Sequence, residues 1–487
     1  MNLRRALISV VVIGGFIAAL VATRQAVATT TARFSTAPFV SRPYASHTDH
    51  ITTTWYCPGV PASDPTVGGE VVITNPSDTP RIGRITFIGP EGQSPISQDI
   101  TVPARDNLTI DVDQVMTAPY VASTIELDGG EGMVEQRALH PAGNAVTSCT
   151  TETSPSWYFA DGWTVDGSTE YLIISNPSAD TVSVNLAFYT KAGVREPAAY
   201  QGDSIAPKSV KVVPVAESRL VDESIIGVKV EATRGRLVVA RAQQYLGGNR
   251  LGYTLTMGAP APAEQLWFAN GQTGPGITEQ YVMFNPTDED AVVTANVLGV
   301  PLSSDFVDPD PIDVPAGEVV TFDMDTLSGL PDGPHSMVFA TLAAPSMVIE
   351  RVLTEPAGDS VSTSIVMGMT PEYVVPRWYV PIGVSAAVDG ALVVYNPYDT
   401  DATISVKAIG PGGEVAVPGL ESIPLPASAI RSIDLSDASV FGRPLVVEAS
   451  QGVFVERRLP RGESLAGRSS SWALPECGPC SFFSPPS

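Results

Sequence analysis

Two cysteines separated by two residues are the arrangement in this chain most suggestive of chemistry. Cys477-Gly478-Pro479-Cys480 has the spacing of a thioredoxin-type dithiol. Redox work at that spacing needs the first thiol at a helix N-terminus after a strand, where its pKa falls. Here Ser-Phe-Phe-Ser-Pro-Pro-Ser follows, with no helix pattern. The expectation is a local Cys477–Cys480 tail disulfide, since two cysteines cannot close a tetrahedral zinc site. The other two cysteines, Cys57 and Cys149, are expected to pair with each other, and four cysteines in all fit an oxidising, exported compartment.

The remaining reactive types are thinly spread. Histidine occurs at His47, His50, His140 and His335. His47 and His50 lie three apart, but a catalytic metal site needs three protein ligands and a fixed outer shell. No Gly-x-Ser-x-Gly turn exists; the nearest match, Gly462-Glu463-Ser464-Leu465-Ala466, lacks the last glycine. No glycine loop of the phosphate-cradling kind is present. Carboxylate pairs do recur: Asp111 with Asp113, Asp323 with Asp325, Asp434 with Asp437, and only Glu217 in the matching stretch between the first two. Two apart on a strand, such a pair would face one way and offer clustered oxygens to calcium. The plainer reading is solvated strand ends on an acidic protein. Repetition of the pairs argues against a single glycosidase cleft, which needs one pair of acids. The sequence therefore yields no catalytic residues, no metal ligands and no cofactor.

The elements that would position any site repeat four times. Asn75-Pro76, Asn176-Pro177, Asn285-Pro286 and Asn396-Pro397 stand 101, 109 and 111 residues apart. Each closes a short run rich in β-branched and aromatic residues, such as Tyr171-Leu172-Ile173-Ile174-Ser175. Proline lacks the N–H that a ladder needs, so each run ends there. Before it, each copy opens with an aromatic strand and a glycine turn, as in Trp157-Tyr158-Phe159-Ala160-Asp161-Gly162. About 29 residues after each Asn-Pro comes a second proline, Pro103, Pro207, Pro315 and Pro426. Near the end of each copy an apolar strand carries an arginine: Arg137, Arg241, Arg351 and Arg457, usually after a glutamate such as Glu350 or Glu456. Neighbours on a strand face opposite ways. Glu350 and Arg351 therefore cannot serve one ligand, and a cross-strand or inter-repeat ion pair is the expected role.

About seven short strands in about 100 residues, without sustained helical periodicity, predict an all-β fold of four tandem antiparallel β-sandwich (Ig-like) repeats. A single four-bladed propeller is disfavoured because blades repeat at about half this period. The expected repeats span 53–150, 156–258, 266–368 and 377–475, with a Cys-containing tail at 476–487. Trp55, Trp157, Trp267 and Trp378 recur in the opening strands and read as core or inter-repeat packing. Trp163 does not recur and is the candidate for an exposed contact.

Arg4 and Arg5 precede an uncharged, mostly apolar run from Ala6 to Thr23. Its 18 residues are just long enough to span a bilayer, and the two arginines hold its start on the cytoplasmic side. Ala26-Val27-Ala28 also offers a cleavage site. Residues 1–28 are read as a membrane anchor or signal segment and 29–52 as a flexible stalk. Either way the bulk is exported, as a single-pass membrane protein or a secreted one. Net charge is −24, with five lysines, which excludes nucleic acid because a phosphate backbone would be repelled.

Taken together, Trp55-Tyr56-Cys57-Pro58-Gly59, Trp157-Tyr158-Phe159-Ala160-Asp161-Gly162, the four Asn-Pro steps, Gly258-Ala259-Pro260-Ala261-Pro262-Ala263-Glu264 and Val348-Ile349-Glu350-Arg351-Val352-Leu353 carry a family likeness. The chain up to about residue 475 resembles an actinobacterial family of exported proteins, domain-of-unknown-function family 5719. The resemblance implies an N-terminally anchored, extracytoplasmic, multi-repeat protein without assigned activity. The expected function is non-enzymatic: a structural or binding module of the cell surface, whose partner would be a surface protein or a glycan. The rival is a cell-envelope enzyme or glycan-binding protein with one diverged repeat.

Overall fold

The computed structural model describes residues 43, 45, 52–63, 66–130, 132–342, 346–381, 391–435, 440–462 and 465–476. The N-terminal apolar run, His47, His50, Asp437, Cys477 and Cys480 lie outside them. No helix among the described residues is long and apolar enough to cross a membrane.

Copy one sets the pattern. Its strands are β1 (Thr52–Ala62), β2 (Gly68–Asn75), β3 (Arg81–Ile88), β4 (Ile96–Val102), β5 (Asp106–Asp111), β6 (Ala118–Asp128), β7 (Met133–Leu139) and β8 (Ala145–Ser148). They form two four-stranded antiparallel sheets, in the orders β1-β6-β3-β4 and β5-β2-β7-β8. Copy three repeats both orders strand for strand, and copy two adds one short hairpin strand, Gly193–Arg195. In copy four the counterparts of β6 and β7 run together as Leu445–Pro460. That single strand pairs first with Val375–Val380 and then with Ala391–Tyr395, which joins the two sheets into one. The fold is thus all-β, built of paired antiparallel sheets. Alternation explains the burial: Val182, Val184, Leu186 and Phe188 face the interior of copy two.

The Asn-Pro steps have a physical reason beyond ladder termination. Each asparagine is fully buried. Asn176 Nδ2 donates to the carbonyls of Asp180, Ile205 and Ala206 at 2.8, 3.1 and 3.0 Å. Its Oδ1 accepts from the Ser178 amide and hydroxyl. Asn75, Asn285 and Asn396 repeat the arrangement on Thr79 and Pro103, Glu289 and Val314, and Thr400 and Pro426. One side chain therefore ties the turn after β2, or its counterpart, to the connection at the second proline. The two landmarks about 29 residues apart are the two ends of one staple.

Cys57 and Cys149 form a disulfide, with Cα atoms 4.6 Å apart and a separation of 92 positions in sequence. It links the opening strand of copy one to the end of its closing segment. On the loop-entropy account such a closure contributes about 4–5 kcal/mol. In later copies the same two segments are joined by backbone bridges, Tyr158 to Ala259 and Trp267 to Met369. Copy one has the bridge as well, Tyr56 to Thr150.

The aspartate pairs are not arranged as two positions on one strand. β5 ends at Asp111, and Asp113 sits in a 3₁₀ turn, Val112–Gln114. Asp323 likewise ends its strand and Asp325 lies in the turn Met324–Thr326. Val112 and Met324 turn into the core at this point, and that inward turn breaks the alternation.

Replacing Asn176 by Ala should leave buried carbonyls without donors and destabilise the protein by roughly 2–4 kcal/mol. Urea denaturation of wild type and variant measures the difference.

Candidate functional site

The four copies pack head to tail and the last meets the first. The surfaces between them contain fully buried ion pairs. In copy two, Arg241 on the counterpart of β7 (Val238–Gly247) reaches Glu350 of copy three, with Nη2–Oε1 at 2.8 Å and Nη1–Oε2 at 3.1 Å. In copy three, Arg351 reaches Glu456 of copy four in the same two-pronged way. In copy four, Arg457 returns to Glu135 of copy one. All six side chains are fully buried. Adjacent residues on one strand, Glu350 and Arg351, thus point to different neighbours, as strand alternation requires.

Two of the carboxylates, Glu350 and Glu456, also take backbone donors from the opening strand of the neighbouring copy. Glu350 Oε2 accepts the amides of Ala160 and Asp161 at 2.8 and 2.7 Å, and Glu456 Oε2 accepts that of Asn270 at 3.2 Å. Burial alone would lower the pKa of Arg241 and Arg351, but Glu350 and Glu456 outweigh it and hold both guanidinium groups charged. The sequence pointed to an ion pair here, cross-strand or inter-repeat, and the structure shows the inter-repeat one. The sequence did not show that the pairs are dry, bidentate and arranged in a cycle.

The seam between copies one and two departs from this rule. Register places Gln136, and not Arg137 as the sequence pattern suggested, at the arginine position, for Val71 pairs with Gln136 as Leu172 does with Arg241. Ala240 stands where the other copies have glutamate, and Arg137 pairs with Glu70 inside copy one. Gln136 Oε1 takes over the carboxylate's second task and accepts the Gly59 amide at 3.2 Å. The rest of the seam is apolar and aromatic: Ile173, Ala240 and Leu255 join the core of copy one, Tyr120 lies 6.2 Å from Tyr171, and His140 stacks on Tyr253 at 4.3 Å. Burial lowers the pKa of His140, so it stacks in its neutral form near neutral pH.

Beside the copy two–three seam lies a second charged group. Asp161 is buried and bound to Arg250 Nη1 at 2.9 and 3.0 Å, and Arg250 also donates to Gln280 of copy three. The Arg250 guanidinium sits 4.0 Å over the ring of Trp163. Trp163 is half-buried by this stacking, rather than standing out as a free contact residue. The recurring tryptophans divide as their pattern suggested. Trp55, Trp157 and Trp378 fill cores, while Trp267 stacks on Tyr395 and Phe454 across the copy three–four seam.

The closing strands of all four copies meet at the centre of the ring: β8, Arg250–Met257, Ser360–Met367 and Arg468–Trp472. A half-open cavity of about 100 Å³ lies there, lined by Val146, Leu255, Ile365, Met367, Ser470 and Trp472 among others. Trp472 closes part of its wall by donating Nε1 to the Met367 carbonyl at 2.7 Å. Among the described residues no group of three or more His, Cys, Asp or Glu is placed to hold a metal.

A family model described as a family of unknown function (DUF5719) matches residues 133–248 and 254–466. No curated protein matches the chain. Among solved structures, a Thermotoga maritima protein, "Thermotoga maritima 1070", is 19% identical with a TM-score of 0.19, over 22% of this chain and 92% of that one. A Streptomyces avermitilis alpha-L-rhamnosidase complexed with L-rhamnose is 10% identical with a TM-score of 0.13, over 89% of this chain and 43% of that one. Neither likeness is close enough to carry an argument.

Removing one partner of a seam pair strands a buried charge. Arg351→Ala should cost about 3–5 kcal/mol, whereas Arg351→Met with Glu456→Leu should cost far less. Denaturation midpoints of the two variants, compared with wild type, decide this. The uncharged seam offers the converse test. Ala240→Glu alone buries an unpaired carboxylate and should destabilise, and adding Gln136→Arg should recover part of the loss, measured in the same way.

Proposed function

The chain belongs to the family of unknown function DUF5719, and on that premise we propose that it is a non-enzymatic structural or binding module of the cell surface. In this reading four Ig-like sandwiches form a ring held outside the cytoplasm by an N-terminal membrane helix. Its partner is a surface protein or a glycan.

The observation that carries the reading is where the charged residues go. The glutamates and arginines of three seams are fully buried between copies and neutralised by one another. Groups so placed hold surfaces together and cannot meet a substrate. Two further features support export and tethering. The Cys57–Cys149 disulfide suits an oxidising compartment. Ala45, within the expected stalk, donates its amide to the Pro475 carbonyl at 2.9 Å, so this part of the stalk lies against the last strand of copy four.

The test is topological and biochemical together. Protease added to wall-stripped cells should digest the protein while a cytoplasmic marker survives; protection would overturn the extracytoplasmic placement. Proximity labelling from the C-terminus should then enrich surface proteins or glycan-bearing material. Turnover of glycoside substrates by the purified full chain, abolished by a single carboxylate substitution, would establish the enzyme instead.

A further inference from the structure

The seam between copies two and three contains one acid that its ion pairs do not balance. Glu170, in the second strand of copy two (Thr169–Asn176), is 1% exposed. Neither of its carboxyl oxygens has a side-chain hydrogen-bond partner among the described residues, and the Trp163 backbone amide is the one donor that approaches them. The backbone of the opening strand lies hard against it, for a Cβ on Gly162 would come within 2.5 Å of Oε2. The groups facing it come from three directions. Arg241 comes from the seventh strand of copy two, Asp161 from the opening strand, and Glu350 from copy three. Arg250, on the closing strand, is bound to Asp161, and Tyr245 donates to Asp161 Oδ2 at 3.4 Å. The buried group thus contains three carboxyls, Asp161, Glu170 and Glu350, against two guanidiniums, Arg241 and Arg250. Both guanidiniums are engaged, one with Glu350 and one with Asp161. The third acid can be neutral only by holding its own proton.

We infer that Glu170 is a proton-linked latch on the seam between copies two and three. The seam closes with the carboxyl protonated, and opening it lets the carboxyl ionise in water.

The energetics agree with the geometry. Burial pushes the Glu170 pKa up to about 7, opposed by Arg241 and reinforced by Asp161 and Glu350. Its ordinary value is 4.5. Below that value both closed and open forms hold the proton, and pH has no effect. Between 4.5 and about 7 the closed form holds a proton that the open form has lost. Stability of the seam therefore falls as pH rises through this window, up to tenfold per unit in the opening equilibrium. Above about 7 both forms are ionised and the loss is complete.

The device is particular to this seam. At the matching position copy one has Gly69 and copy four Gly390. Copy three has Glu279, but His335 Nε2 lies 3.0 Å from it, and Tyr281 and the Gln272 amide donate to it. There burial raises the pKa, yet His335 and Arg351 outweigh it and the net shift is downward.

Hydrogen exchange on the full chain in detergent, corrected for intrinsic rates, tests the latch. Protection of Trp157–Gly162 and Val348–Ala357 should fall up to tenfold per unit between pH 5 and 7, relative to the remote strand Ala402–Gly410. Glu170→Gln, and Glu170→Met as a second neutral form, should flatten that slope, while Glu279→Gln leaves it intact. A wild-type slope of zero, or one unchanged in both Glu170 variants, would overturn the proposal.

Discussion

The fully buried guanidinium–carboxylate pair between neighbouring copies is the constraint on which the architecture rests. Two unit charges in a dry interior are tolerated only when each satisfies the other and the leftover lone pairs find donors. Glu350 meets both conditions, with Arg241 on one side and the amides of Ala160 and Asp161 on the other. The pair therefore fixes the distance and rotation between two copies. Three such pairs, the last from Arg457 back to Glu135 across 322 residues of sequence, hold the ring closed. Closure in turn brings the closing strands together at the centre and creates the cavity beside Met367 and Trp472.

Local structure serves this geometry. The asparagine staple stiffens each copy at the end of the strand that pairs with the arginine strand. In copy two, Ile173, close to Asn176, lies opposite Ala240, the neighbour of Arg241. The linkers are bonded at both ends as well: Ser154 pairs with Leu237 and Tyr158 with Ala259, so the joints add rigidity rather than slack. A guanidinium that must meet a carboxylate in a neighbouring copy needs such a rigid frame, because a small misplacement would strand both charges.

Much of the fold could be read from the residues because its signals are local. Strand alternation, the Asn-Pro steps and the glycine turns each speak within a few positions, and they predicted all-β copies correctly. The Cys57–Cys149 pairing was legible because both cysteines stand where other copies have core residues. The reach of the seams was not legible. A period counts copies without saying whether they string out or close, and Glu135 and Arg457 look alike in sequence whether they face solvent or each other. Arg250 was missed altogether, since its partner Asp161 lies 89 residues away and no repeated motif marks it. Trp163, singled out for not recurring, gains its stacking from that same unforeseen arginine.

The exception at copies one and two gives the ring a fixed order. Faces carrying Arg241, Arg351 or Arg457 are chemically alike, as are faces carrying Glu350, Glu456 or Glu135. Any of the first could in principle meet any of the second, in another chain as well as this one. Gln136 and Ala240 break that equivalence. Set against a glutamate face, Gln136 would leave a buried carboxylate without its cation. Set against Ala240, any of the three arginines would be left without its anion. Each mismatch costs several kcal/mol, whereas the matched apolar seam loses little, because buried apolar contacts can equal a buried ion pair in stability. The missing charge pair is therefore not a weak point. It is the one seam whose faces fit only each other, and it disfavours assembling the copies in any other order.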